Sequence, residues 1–398
     1  MTAFRVLFVD DEERVLSGLR RMLEPHRNEI SCHFVTTGAE ALECLERECF
    51  DAIVSDMQMP GMDGATLLKI AQARHPGVVR LVLSAHTELE ATMRSVSVSH
   101  QFLTKPCRPQ HLLETIRRTY ALQKLMENEA LAATVGEISS LPSLPRIYNE
   151  LTQELAKRDY SVDSVSRIVE QDIGMVAQVL HLVNSAYFGM PRRITSMREA
   201  IGYIGVETIN NLTLSIELFQ SFDGADDSGY SIDREQEHNF LVAKLAKRIA
   251  PGSVSKDDAY LAGMLHDVGR LILATKYPKQ YGEVTADVAA GGAGRREHEM
   301  LLFGATHAQV GAYLLGLWNL PYVIVEAVAY HEDPSQGLAS DFGLTHAVWI
   351  ADVLANGETG DAFPESGLAM LDELGVRDRL ADWMKIRDEL METSEQNV

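Results

Sequence analysis

The sequence predicts a multidomain chain: an α/β domain with a parallel sheet, followed by an all-α region. Three observations carry this. At 398 residues the chain is too long for one compact core and divides into two or three domains. From residue 4 to about 120, short apolar runs alternate with amphipathic stretches, a spacing that builds a parallel sheet covered on both faces. From about Ser139 onward the pattern is helical almost throughout.

The expected strands are Phe4–Val9, Ile30–Val35, Ala52–Ser55, Val79–Ser84 and Gln101–Thr104, rich in β-branched and aromatic residues. Helical spacing appears between them, as in Leu16, Leu19 and Leu23, then Ala41, Leu42 and Leu45. After Pro109 the helical pattern runs on through Leu112, Leu113, Ile116, Tyr120, Leu125 and Met126 to about Val135, with no internal Pro or Gly. This predicts a connecting helix that can pair with a second copy. The alternative is an amphipathic helix lying on its own domain.

Composition narrows the function. Apolar residues make up 46% and charged residues 23%, a globular rather than a disordered profile. No run of about 18 apolar residues is present, so a membrane span is not expected. The opening MTAFRVLFVDDEE lacks the basic and apolar regions of a secretion signal. Cys32, Cys44, Cys49 and Cys107 form no CxxC pair, which fits inert thiols in a cytoplasmic chain. With 36 Lys+Arg against 57 Asp+Glu the net charge is −21, which opposes attraction to DNA phosphates. The basic spots Arg192-Arg193 and Arg295-Arg296 are short, so DNA binding is not expected.

Polar residues gather at the carboxyl ends of the expected strands, where such folds bind ligands. Asp10 and Asp11 follow the first strand, Asp56 follows the third, Ser84 ends the fourth and Lys105 follows the fifth. Converging carboxylates repel unless a cation sits between them, and Mg²⁺ suits an all-oxygen set. Lys105 and the Ser84 hydroxyl would then stabilise charge on a phosphoryl group moving onto Asp56.

VDDE (Val9–Glu12), SDMQMPGMDG (Ser55–Gly64), LSA (Leu83–Ala85) and TKP (Thr104–Pro106) resemble the receiver domains of two-component response regulators. The resemblance spans about the first 120 residues and implies a five-stranded, doubly wound fold. It also implies that Asp56 is the phosphoacceptor, phosphorylated by a histidine kinase or phosphotransfer protein. Asp10, Asp11, Asp56 and the Gln58 backbone carbonyl would serve Mg²⁺. Ser84 and Lys105 would contact the phosphoryl group, and Phe102 would be the aromatic switch. The Gln58 and His86 side chains either orient or obstruct a hydrolytic water, or are exposed loop residues.

In the later region, Leu141-Pro-Ser-Leu-Pro145 opens the helices. The acidic stretch Ser221–Glu237 divides them into two blocks, and a Gly-rich loop, Ala289–Gly294, interrupts the second. One helix is expected from about Asp257 to Thr275, with Tyr260, Leu261, Met264, Leu265, Val268, Leu271 and Ile272 as its apolar stripe. It carries His266 and Asp267, which need partners if buried. His238, His307, His331 and Asp352 lie on other expected helices. Imidazole with carboxylate suits Zn²⁺, Fe or Mn²⁺. The alternative is a set of hydrogen-bonded structural histidines.

His266-Asp267-Val-Gly-Arg270 resembles the signature of the HD superfamily of metal-dependent phosphohydrolases. SLPSLPRIYNEL (Ser140–Leu151), IVEQDIGMVAQVLHLVNSAYFG (Ile168–Gly189) and ITSMREAIGYIGVETINNL (Ile194–Leu212) resemble the HDOD domain, an HD-related output domain. The stretch His307–Gly311, then LWNLP (Leu317–Pro321), then Tyr330-His331-Glu332 is shared with HDOD and HD-GYP proteins. The latter have two adjacent histidines where this chain has Tyr330-His331, and a GYP segment that is absent after Glu332. The resemblance implies a regulatory domain acting through a protein partner, with the minimal HD ligands His238, His266, Asp267 and Asp352 retained. Hydrolysis of a cyclic dinucleotide or nucleotide, or binding of a nucleotide without cleavage, are the alternatives.

The expected divisions are a receiver at 1–121, a connecting helix at 122–138, helical blocks at 139–222 and 238–388 separated by an acidic loop at 223–237, and a frayed tail at 389–398.

Overall fold

The computed structural model describes residues 4–84, 98–105, 107, 109–126, 128–138, 141–142, 145–157, 159–184, 192–206, 208–209, 229–291, 294–337, 341–357, 363 and 365–395. The side chains of Ser84, Phe102 and Thr104 fall outside the described set, as does His86. The chain divides into two compact units. One comprises Met1–Ser140, His181–Arg193 and Tyr313–Leu320; the other comprises Leu141–Leu180, Ile194–Ala312 and Pro321–Val398.

The first unit holds a sheet of five strands in the order β2-β1-β3-β4-β5, every neighbouring pair parallel. The strands are β1 (Phe4–Val9), β2 (Ile30–Val35), β3 (Ala52–Asp56), β4 (Val79–Ser84) and β5 (Gln101–Thr104). Central β1 and β3 are almost wholly buried, whereas edge strand β2 mixes buried and exposed positions. Helices α1 (Glu13–Leu23), α2 (Gly38–Arg47) and α3 (Gly64–Arg74) connect the first four strands. The Thr37 side chain caps α2 by accepting from Glu40 N–H, and Asp63 caps α3 by accepting from Thr66 N–H. The winding reverses between β1 and β3, so their carboxyl ends open a crevice.

After β5 come α4 (Pro109–Leu125) and α5 (Glu129–Gly136). The expected single connecting helix is therefore two. The chain breaks around Asn128, whose side chain accepts from Leu131 N–H and starts a new helix. Asn competes well for cap positions, and the apolar periodicity concealed this.

The remaining described elements are helical: α6 (Pro145–Leu155), α7 (Val162–Val169), α8 (Ile173–Val183), α9 (Met197–Ile204), α10 (Ile232–Ile249), α11 (Lys256–Leu265), α12 (Val268–Lys276), α13 (Pro278–Ala289), α14 (Arg295–Phe303), α15 (His307–Leu317), α16 (Tyr322–Tyr330), α17 (Leu344–Asn356), α18 (Glu365–Glu373) and α19 (Leu380–Glu395). Three expectations change. The acidic loop ends before residue 232, because Ser231 caps α10 and draws the acidic residues after it into the first turn. The tail from 389 is helical to Glu395, continuing the good helix formers of α19. The helix expected over Asp257–Thr275 breaks at His266-Asp267, where Asp267 leaves helical geometry with φ −100° and ψ 11°. The apolar stripe runs across the break, which is why the sequence reads as one helix.

Glycines let the helices of this unit touch backbone to backbone. A Cβ on Gly263 would lie 2.7 Å from Ala243 Cα, so α11 lies hard against α10. A Cβ on Gly269 would lie 1.8 Å from the His307 carbonyl oxygen, so α12 meets the start of α15 with no room for a side chain. Among the described residues no single helix is long and apolar enough to cross a membrane.

Candidate phosphoacceptor and metal sites

In the first unit, β1 delivers Asp10 and β3 delivers Asp56, which is the last residue of its strand rather than the first beyond it. Lys105 Nζ lies 2.7 Å from Asp10 Oδ2 and 2.9 Å from Asp56 Oδ2. Asp10, Asp11 and Asp56 present oxygens within 4.8 Å of one another. Glu12 N–H donates to Asp10 Oδ1 at 3.0 Å, and Met57 N–H donates to Asp56 Oδ1 at 2.8 Å, which fixes both carboxylates. The turn beyond closes tightly, since a Cβ on Gly64 would lie 2.1 Å from the Asp56 carbonyl oxygen. Burial pushes the Asp56 carboxyl up, against the pull of Lys105. Burial would lower Lys105, but its hydrogen bonds to Asp10 and Asp56 outweigh this and raise it. Three oxygen donors around a small space fit a hard divalent cation such as Mg²⁺. Gln58 is exposed.

The second unit gathers all six of the expected His and Asp residues. His238 comes from α10, His266 and Asp267 from the break between α11 and α12, His307 from the start of α15, His331 from the end of α16, and Asp352 from α17. His266, Asp267, His307 and His331 are fully buried. Asp267 sits between two sets of imidazoles. Its Oδ2 lies 3.2 Å from His266 Nε2 and 3.9 Å from His238 Nε2, while its Oδ1 lies 3.1 Å from His307 Nε2 and 3.5 Å from His331 Nε2. Asp352 Oδ1 is 3.0 Å from His238 Nε2 and 3.5 Å from His266 Nε2.

The outward nitrogens are tied down. His266 Nδ1 donates to Gly263 O and His331 Nδ1 to Val328 O, each at 2.8 Å. His307 Nδ1 lies 2.8 Å from Glu299 Oε2. These partners hold a proton on each Nδ1 and turn each Nε2 toward Asp267. None of the three Nε2 atoms meets a well-directed hydrogen-bond partner. Buried nitrogens aimed at a common carboxylate without satisfying it fit a transition metal, and the His/Asp donors suit Zn²⁺, Fe or Mn²⁺. His238, His266 and Asp352 form one possible ligand group, and His266, Asp267 and His331 another.

With no cation between them, the carboxylates draw protons onto the imidazoles. Burial disfavours charge on His266, yet Asp267 and Asp352 outweigh it and push the imidazole up to about 10. Burial likewise opposes charge on His307, but Glu299 and Glu332 lead in pushing it up to about 10. Asp267 is held well below the usual carboxylate range, where Arg270 and His266 overcome the effect of burial. Protons thus balance carboxylates that a metal cation would otherwise neutralise.

Three participants were not assigned a role from sequence. Glu299 is fully buried against His307. Arg270 Nη1 lies 2.7 Å from Asp267 Oδ2 and 3.2 Å from Glu235 Oε1. Glu235 is a turn before His238 on α10, which is a readable signal, but Glu299 lies in a highly charged segment that looks solvent-facing.

Comparison with known proteins finds two families along the chain. The response regulator receiver domain matches residues 6–117, and the HDOD domain matches residues 141–334. The chain is 26% identical over 205 residues to an uncharacterized protein of Treponema pallidum (strain Nichols), covering 51% of this chain and 40% of that one. It is 36% identical over 122 residues to the hydrogenase transcriptional regulatory protein HoxA of Cupriavidus necator, covering 30% of this chain and 25% of that one. It therefore spans less than half the length of either relative. Among solved structures, the MmoQ response regulator of Methylococcus capsulatus str. Bath shares the fold at 22% identity and a TM-score of 0.50, over 62% of this chain and 98% of that one. The chain accordingly has the architecture of a two-component response regulator, a receiver domain joined to an HDOD output domain.

Proposed function

We propose that a histidine kinase or phosphotransfer protein phosphorylates Asp56, and that this controls an HDOD domain whose output is contact with a protein partner. The supporting observation is the placement of Lys105 Nζ between Asp10 and Asp56, with Asp11 beside them. That arrangement supplies the positive charge a transferred phosphoryl group needs, with Mg²⁺ supplying more when bound. Ser84 and Phe102 are assigned the phosphoryl contact and the switch from the receiver resemblance. We divide the chain into a receiver at 1–121, a linker at 122–138 and the HDOD region from 139. Incubation with a small phosphoryl donor and Mg²⁺ tests the reading. Stoichiometric labelling that disappears in Asp56→Asn is expected, and labelling that persists would overturn it.

A second reading, a metal-dependent phosphohydrolase gated by the receiver, is favoured by the three unsatisfied Nε2 atoms around Asp267. Against it stands Tyr330 in place of a further histidine. Metal analysis and hydrolysis assays on cyclic dinucleotides separate the two readings. Bound transition metal with turnover lost in His266→Ala would make the domain an enzyme.

A further inference from the structure

Away from both sites, a buried arginine holds the end of the linker. Arg80 on β4 is 1% exposed, and its guanidinium donates to three backbone carbonyls. Nε reaches Val98 O at 2.7 Å, Nη1 reaches Val78 O at 3.3 Å, and Nη2 reaches Gly136 O at 2.6 Å. Gly136 is the last residue of α5. Buried His100 closes the arrangement: its Nδ1 accepts from Arg80 N–H at 3.0 Å, so its neutral ring carries the proton on Nε2, 2.9 Å from the same Gly136 carbonyl. A Cβ on Gly136 would lie 2.7 Å from Pro76 O, so the helix end sits against the receiver backbone itself. Gln72 Nε2 adds a hydrogen bond to Glu137 O at 3.1 Å.

Burying a guanidinium is costly unless it is hydrogen-bonded, and an apolar side chain would pack the same spot without that cost. What the arginine adds is direction: it ties β4 to one carbonyl at a helix terminus, where a cation also opposes the helix dipole. The strands involved are those that end at Ser84 and lead to Lys105, whose Nζ lies 2.9 Å from Asp56 Oδ2. β4 runs from near Arg80 to Ser84 and pairs with β5 from Leu81↔Gln101 to Ser84↔Thr104, the residue before Lys105. The HDOD match begins at residue 141, just beyond the helix that Arg80 holds.

We propose that Arg80 and His100 form a latch through which the state of Asp56 sets the position of the linker's end. This rests on the reading of Asp56 as phosphoacceptor. A shift of β4 against β5 moves the donors that hold Gly136, and the coupling is reciprocal, so loosening the latch changes the receiver's affinity for a phosphoryl mimic.

Hydrogen exchange on the full chain, with and without beryllofluoride and Mg²⁺, tests this by following residues 52–64 and 129–142 separately. In the wild type both segments should respond, the second by roughly threefold or more in rate. In Arg80→Met, residues 52–64 should still respond and residues 129–142 should not. Gly136→Ala leaves β4 unaltered and should behave alike, so it decides the matter if the arginine variant fails to fold. A response at 129–142 that persists in the folded variants overturns the latch. So does a wild type that responds only at 52–64. A wild type silent at both segments overturns the reading of Asp56 and the latch with it.

Discussion

Glu299 holds His307 at two atoms: its Oε2 accepts the backbone N–H at 2.7 Å and lies 2.8 Å from Nδ1. The carboxylate therefore fixes both where α15 begins and which way the imidazole faces. Glu299→Ala is expected to lower transition-metal affinity by about 10–100-fold, while Glu299→Gln, which keeps an acceptor, recovers part of it. Competition with a chromophoric chelator measures the difference. Equal affinities in all three proteins would show that His307 needs no such support.

Gly269→Ala is expected to destabilise the chain by about 1–3 kcal/mol, because its Cβ would collide with the His307 carbonyl. The same collision pries α12 from α15, parting Asp267 from His307. Chemical denaturation reads the first effect and metal stoichiometry the second. An unfolding midpoint equal to the wild type's would contradict the close approach.

His100 makes stability depend on pH. Burial and the neighbouring Arg80 hold its imidazole well below the usual histidine range, so it stays neutral in the folded chain and gains a proton on unfolding in mild acid. Its contribution is fully present above pH about 6.5 and falls by up to about 1.4 kcal/mol per pH unit below that, until the folded value is reached. His100→Asn keeps an acceptor for Arg80 N–H and does not titrate there. The difference in stability between the two proteins should shift in the variant's favour as pH falls from 7 to 5.

Thiol reactivity should follow burial. Burial, with a smaller push from Glu24, raises the Cys32 thiol to about 11, whereas Cys49 is exposed. At pH about 8, alkylation followed by peptide mass spectrometry should find Cys49 modified well before Cys32. The reverse order would mean that β2 opens readily.

Much of this was legible in the residues. The five strands stand where apolar runs bounded by polar residues placed them, because central parallel strands must be apolar on both faces. His238, His266, Asp267, His307, His331 and Asp352 meet, as a shared order of His and Asp on buried helices suggested. What escaped the sequence depends on tertiary partners. The break at His266-Asp267 lies within one uninterrupted apolar stripe. Glu299 is buried in a segment whose composition says surface. Arg80 reaches the carbonyls of distant Val98 and Gly136, which no local pattern announces.

Asp267 also constrains how such a centre can be lost. One oxygen faces His266 and His238, the other His307 and His331. Substitutions at His307 or His331 thin out one flank and leave the opposite flank whole. A substitution at Asp267 removes the common member of both. A chain with Tyr330 beside His331 keeps that common member in place.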